Sequence, residues 1–341
     1  MPKEDRKQGP KGRPLLYVDA LNFSRRFFTD LNFWDLQKPF SKIRKFVTAA
    51  INSGWHIEVF IDAGIQTKET LQKWKIRREL QVRKCKLDVP PGLAIIYGDM
   101  WKANKVKVHY SEVDNDDTLA AFAHRDKAFV LSGDKDFYRY TEATFTIFSD
   151  FEIKMGHLVM QESQYFRHPK PRMLINPVPM THKVYPTIAR LFSSGDYFKG
   201  CPSSLTRFTG NLHRLCKPIR QAFYESLMLT FGVQESFIDW NPELEETYWT
   251  FELVHRDPYF AYLLRDPLEA FDHFFTHVSR PEHSSDLEWH NHLFGLTAIV
   301  CEYISCLRGQ PIHFAINEVK AALLKRGTIR NLTKTELKDS K

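Results

Sequence analysis

Residues 130–137 read "VLSGDKDF". An apolar run enters a Ser-Gly turn and then presents Asp134 and Asp136 with one lysine between them. In an extended chain, residues i and i+2 point to the same side, so two carboxylates are expected side by side at the end of a buried strand. Like charges that close raise each other's energy. The same grammar of apolar run followed by acid recurs in "LLYVD" (15–19), ending at Asp19, and in "IEVFID" (57–62), ending at Asp62. "SKIRKFVTAAINSG" (41–54) and "DDTLAAFAHR" (116–125) have helical character, whereas "LAIIYG" (93–98), "AFVLSG" (128–133) and "ATFTIF" (143–148) read as a third, fourth and fifth strand. Strands that are apolar throughout and alternate with helices predict an α/β fold, a parallel sheet with helices on both faces.

The texture changes after Arg172. A Pro-rich stretch, "HPKPRMLINPVP" (168–179), leads into long mixed aromatic and charged segments such as "FGLTAIVCEYISCL" (294–307). Four parts are expected: a disordered basic tail (1–14), an α/β domain (15–172), a mainly helical domain (173–333) and a frayed end (334–341). The 341 residues, 43% hydrophobic, suffice for two modest domains. No apolar run approaches the ~20 residues of a membrane span, and the start lacks the apolar stretch of a signal peptide. The five cysteines are scattered and odd in number, without a CxxC pair, which fits reduced thiols in an intracellular protein, nuclear or cytoplasmic, and not a disulfide framework or zinc site.

In a parallel α/β sheet, ligands bind beyond the carboxyl ends of the strands. Asp19, Asp62 and the Asp134/Asp136 pair are all predicted on that edge. "SEVDNDD" (111–117) adds Glu112, Asp114, Asp116 and Asp117 ahead of the helix leading to the last of these strands. Asp117 reads more simply as a helix-cap residue. Carboxylates gathered on one rim repel unless cations lie among them, and an all-oxygen donor set suits Mg²⁺ or Mn²⁺ and not zinc. Two such ions are a common device for attack of water on a phosphodiester.

The net charge of +7 is concentrated: residues 66–86 carry eight basic against two acidic side chains. Lys68, Lys73, Lys75, Arg77, Arg78 and Arg83 are candidates for gripping a polyanion, and Trp74 either stacks on a base or fills the core. His273, His277, His283, His290 and His292 crowd one region without a completing Glu or Cys, so they read as ordinary histidines. Tyr138 and Tyr140 read as cover for the sheet edge.

The series Asp19, Asp62, "SEVDND", "SGDKDF" and "GDYFKG" (195–200) resembles the PIN-like nucleases of the flap endonuclease/XPG superfamily, and most closely its Asteroid branch, over roughly residues 15–200. The family's first acid, after strand one, is matched by Asp19, and its second, in a "DG"-like turn, by Asp62 in "IDAG". Its paired acids are matched by Asp114 and Asp116, its D-x-D by Asp134 and Asp136, and the acid of its G-x-DY turn by Asp196. The basic stretch after Asp62 is similar to the family's helical arch. The arch here is short, fourteen residues precede strand one, and "KGCPSSLTRFTG" lacks the Gly-x-Gly of the family's duplex-binding hairpin. All three departures favour the Asteroid-type branch, whose members are less clearly nucleases.

The resemblance implies a metal-dependent, structure-specific nuclease on flapped or single-stranded DNA, with Asp19, Asp62, Asp114, Asp116, Asp134, Asp136 and Asp196 serving two ions. The alternatives are an RNA endonuclease or an Asteroid-like scaffold that binds nucleic acid or protein without catalysis. A Rossmann dehydrogenase is set aside because no Gly-x-Gly-x-x-Gly follows the first strand. An aspartyl-nucleophile phosphatase is set aside because its D-x-D follows strand one.

Overall fold

Leu15–Asp19 (β1) is buried along its whole length because strands flank it on both sides and helices cover both faces. The computed structural model describes residues 9, 12–28, 34–62, 72, 73, 76, 79, 93–111, 114–164, 167–177, 215–227, 232–241, 243, 244, 246–280, 282 and 286–331. After β1 come a short helix α1 (Ser24–Phe27), α2 (Gln37–Asn52), β2 (His56–Asp62), α3 (Leu93–Ala103), β3 (Lys107–Ser111) and α4 (Asn115–Asp126). Strands β4 (Phe129–Leu131), β5 (Ile147–Lys154) and β6 (His157–Glu162) complete the sheet. Its order is β3-β2-β1-β4-β5-β6, parallel throughout except for the antiparallel pair β5 and β6.

Alternation along β1 sends its side chains to two different cores. On one side Tyr17 and Phe60 meet Leu119, Ala120, Phe122 and Ala123 of α4, where the small alanines let the helix lie close to the strands. Elsewhere Phe46 of α2 meets Phe27, Trp101 of α3 and Phe151 of β5 in edge-on ring contacts. Helix α2 is amphipathic, burying Ile43, Phe46, Val47 and Ala50 at i, i+3, i+4 and i+7.

The sequence expectation differs from the structure at three places. "LAIIYG" opens helix α3 and is not a strand; the third strand is "KVHYS", further along. The apolar pattern continues past the glycine, with Leu93, Ile96, Tyr97, Met100 and Trp101 all buried, and that spacing is helical. Strand β5 begins at Ile147, later than expected, and turns back through Met155 and Gly156, at φ 50° and 76°, into the unforeseen β6. Two positive φ values in a two-residue loop are the hairpin geometry that matches strand twist. The region expected to be mainly helical also contains a two-stranded ribbon, β7 (Val233–Asn241) with β8 (Glu246–Val254).

Gly98 lies where a Cβ would fall 2.0 Å from the Tyr110 hydroxyl, and that ring is fully buried. Gly98→Ala is therefore expected to destabilise the protein by about 2 kcal/mol, overpacking outweighing the gain in helix propensity. Chemical denaturation checks it; an unchanged midpoint would contradict the packing described.

The chain forms two compact units, one of residues 1–29, 36–67 and 97–184, the other of residues 30–35, 68–96 and 185–341. The first holds the six-stranded sheet. The second, taken by itself, contains α5 (Lys217–Ser226), the β7–β8 ribbon, α6 (Pro267–Phe275), α7 (Asp286–Arg308) and α8 (Ile312–Lys325). Within it a buried Arg220 guanidinium donates to both Glu235 oxygens, at 2.7 and 2.8 Å, a paired burial that satisfies both charges. Among the described residues Cys216 and Cys301 are free, buried thiols, and no helix is long and apolar enough to cross a membrane.

Candidate functional site

The strand order reverses between β1 and β4: β2 and β3 extend the sheet to one side, β4, β5 and β6 to the other. Chains leaving neighbouring strands in opposite directions open a crevice at their carboxyl ends, the usual ligand position in this architecture. Asp19 closes β1 there. Residues 132–136 follow β4 directly, and α4, which packs on β1 and β2, has Asp114 at its N-cap.

Asp19 is only 7% exposed. Ser132 Oγ donates to its Oδ2 at 2.9 Å, and Asn115 Nδ2 to its Oδ1 at 3.4 Å. Asn115 is held in turn by the Ser111 hydroxyl at 2.5 Å, and Ser132 Oγ accepts the Asp134 N–H at 3.2 Å. The two D-x-D pairs are built alike. Asp114 Oδ1 accepts the Asp116 N–H at 3.1 Å, and Asp134 Oδ1 accepts the Asp136 N–H at 2.9 Å. The first acid of each pair thus caps a helical turn, α4 or the 3-10 turn Lys135–Arg139, a favoured place for aspartate. This corrects the expectation that strand alternation sets Asp134 beside Asp136: β4 ends at Leu131, and the cap turn gathers the pair. The cap of α4 is Asp114 and not Asp117, because the helix starts at Asn115; Asp117 is buried within its first turn.

Asp116, Asp134 and Asp136 each offer an oxygen, all within 4.8 Å of one another. Arg139 reaches into the same cluster, lying 3.8 Å from Asp114 and Asp116 and 3.5 Å from Asp117 and Asp136. Asp117 also accepts from the Tyr140 hydroxyl at 2.5 Å and pairs with Arg172 at 2.8 Å. His168 Nε2 lies 3.2 Å from Asp136 Oδ1. Among the described residues, six carboxylates therefore gather with two guanidiniums, and no basic side chain pairs with Asp19 or Asp134. Burial raises the Asp116 pKa to about 8, helped by Asp19, Asp114 and Asp134 and opposed by Arg139. Burial also raises Asp19 to about 6, with Asp134 and Asp62 adding to the effect and the Ser132 hydrogen bond opposing it. Both shifts have the causes expected for acids crowded at a desolvated rim.

Asp62 ends β2, exposed. It acts on Asp19 through its charge, outside the close trio. Lys73 is half-buried. Glu112, Asp196, Lys68, Trp74, Lys75, Arg77, Arg78 and Arg83 lie outside the described residues. Tyr140 is buried, in keeping with a covering role. His273 and His277 are exposed and His290 and His292 buried; among the described residues they join no metal-ligand cluster. Sequence reasoning missed Ser132, Asn115, Arg139, His168 and Arg172. Only Arg139 carried a local signal, standing one 3-10 turn after Asp136.

No protein-family model matches the chain, and no curated protein is significantly similar to it.

Proposed function

We propose that the chain is a divalent-metal-dependent phosphodiesterase acting on nucleic acid, a PIN-like nuclease of the flap endonuclease/XPG kind close to the Asteroid branch. One observation carries the reading: acids from three separate segments meet at the switch point of a parallel sheet, with Asp116, Asp134 and Asp136 oxygens within 4.8 Å of one another. The donor set fits the cation. It is carboxylate oxygen throughout, the preference of Mg²⁺ and Mn²⁺, and among the described residues Asp19 and Asp134 have no basic partner to balance their charge.

Asp116, Asp134 and Asp136 would hold the ion, with Asp19, Asp62 and Asp196 contributing to a second. Such ions supply Lewis-acid polarisation of a phosphate and acidify the water that attacks it. The chain's own residues prepare the place. Ser132 and Asn115 fix Asp19, whose buried charge attracts cations to the crevice. The two cap turns orient Asp114 and Asp134. Arg139 restrains four acids from spreading apart, while Tyr140 and Arg172 occupy Asp117 and keep it out of the donor set. Lys68, Lys73, Lys75, Arg77, Arg78 and Arg83 supply positive charge for the phosphate backbone.

The second reading, a binding scaffold without catalysis, draws on Arg139: an internal guanidinium touching four acids is a way to neutralise them without metal. Among the described residues it leaves Asp19 and Asp134 without a basic partner, which favours the enzyme. The test is incubation of the purified protein with Mn²⁺ and flapped DNA, plain single-stranded DNA or structured RNA. Cleavage of at least one, abolished by EDTA, is expected. Tight binding with no cleavage of any would hand the case to the scaffold.

A further inference from the structure

Beyond the acids, one segment returns to the crevice from far along the chain. Residues 167–172, "RHPKPR", lie against the turn that carries Asp136. Arg172 anchors the segment: its N–H donates to the Arg139 carbonyl at 2.8 Å, and it forms a parallel bridge with Tyr140. Its guanidinium pairs with Asp117. Pro169 and Pro171 stiffen the link from that anchor to His168, since each ring fixes φ and restricts the residue before it. The imidazole is set by the same link. The Lys170 N–H points at Nδ1 from 3.1 Å, and the Lys170 carbonyl lies 3.0 Å from the same nitrogen. Asp136 Oδ1, a carboxylate oxygen, can only accept, so Nε2 carries a proton and donates to it at 3.2 Å. The ring is 14% exposed, whereas the carboxylate it meets is 46% exposed; Arg139 reaches the other oxygen of Asp136 at 3.5 Å, so His168 supplies the shorter of the two contacts that hold this exposed acid.

We infer that His168 is a positioning residue for Asp136: a proline-stiffened strap holds its imidazole against one carboxylate oxygen and turns the acid toward Asp116 and Asp134. The inference rests on the nuclease reading and names the residue that tunes its metal affinity. A ligating carboxylate that is itself hydrogen-bonded keeps its orientation, and loss of such a partner costs about 10–100-fold in metal affinity or activity.

The experiment titrates Mn²⁺ against the protein without nucleic acid, reading the thermal midpoint, for wild type, His168→Ala and His168→Gln, and repeats each in cleavage assays. His168→Ala is expected to raise the Mn²⁺ half-saturation about 10-fold with KM for the nucleic acid unchanged. His168→Gln, whose amide can donate in place of Nε2, restores most of the loss and serves as the folding control. In an Asp136→Asn background, removing His168 has no further effect. A wild-type midpoint that rises with Mn²⁺ while His168→Ala responds at the same half-saturation overturns the inference and leaves the nuclease reading standing. A wild-type midpoint insensitive to Mn²⁺ brings down both.

Discussion

Asp134→Asn/Asp136→Asn is expected to lower Mn²⁺-dependent cleavage by at least about 10³-fold while the fold survives. Removing the charges of the two acids proposed to hold the ion would forfeit several kcal/mol of transition-state stabilisation, and about 4 kcal/mol corresponds to three decades in rate. Asparagine is the informative replacement because position 134 does two jobs. Its Oδ1 caps the 3-10 turn by accepting the Asp136 N–H, and asparagine caps about as well as aspartate. The substitution therefore keeps the hydrogen bond and deletes the charge. Without metal the midpoint of the variant should equal or exceed that of wild type, since repulsion has been relieved. With Mn²⁺ the wild-type midpoint rises and the variant's does not, because a ligand stabilises only the protein that binds it. Equal midpoint rises in the two proteins would show that the trio is not where cations bind.

Much of this arrangement was readable from the chain. Strand β1 ends in Asp19 and β4 runs into "SGDKD", and buried parallel strands advertise themselves as continuous apolar runs. Parallel pairing then forces their carboxyl ends onto one edge. What was hidden followed from distance along the chain. His168 meets Asp136 across 32 residues, and Asp117 meets Arg172 through a bridge that no local pattern encodes. The residue types were unremarkable where they stood: a histidine and an arginine among prolines read as a connecting loop. The error at "LAIIYG" was of another kind, since an apolar run of six does not distinguish strand from buried helix; only the continuation of buried positions to Trp101 does so. Asp117 was misassigned because the cap depends on which residue starts the helix, and boundaries are the least determined part of a sequence reading.

Asp116→Asn is expected to stabilise the metal-free protein at pH 8 by about 1–3 kcal/mol, the opposite of the usual effect of deleting a charged group from a folded site. Burial and three neighbouring acids raise the Asp116 pKa from 3.8 to about 8, so the folded state holds a proton that the unfolded chain releases. The folded protein binds more protons than the unfolded one between those two values. Stability therefore falls as pH rises from about 4 to about 8, then levels off once both states are ionised. Asp19, raised to about 6, adds a penalty of the same sign that is complete by that pH. Asparagine removes the Asp116 share and leaves its backbone N–H on Asp114, so the variant's midpoint should exceed wild type by several degrees at pH 8 and converge with it near pH 4. Saturating Mn²⁺ should flatten the wild-type curve over the same interval, because a cation stabilises the ionised acid that burial opposes. If the metal-free variant is no more stable than wild type at pH 8, Asp116 carries no electrostatic strain there, and the case for a cation-seeking rim loses its energetic basis.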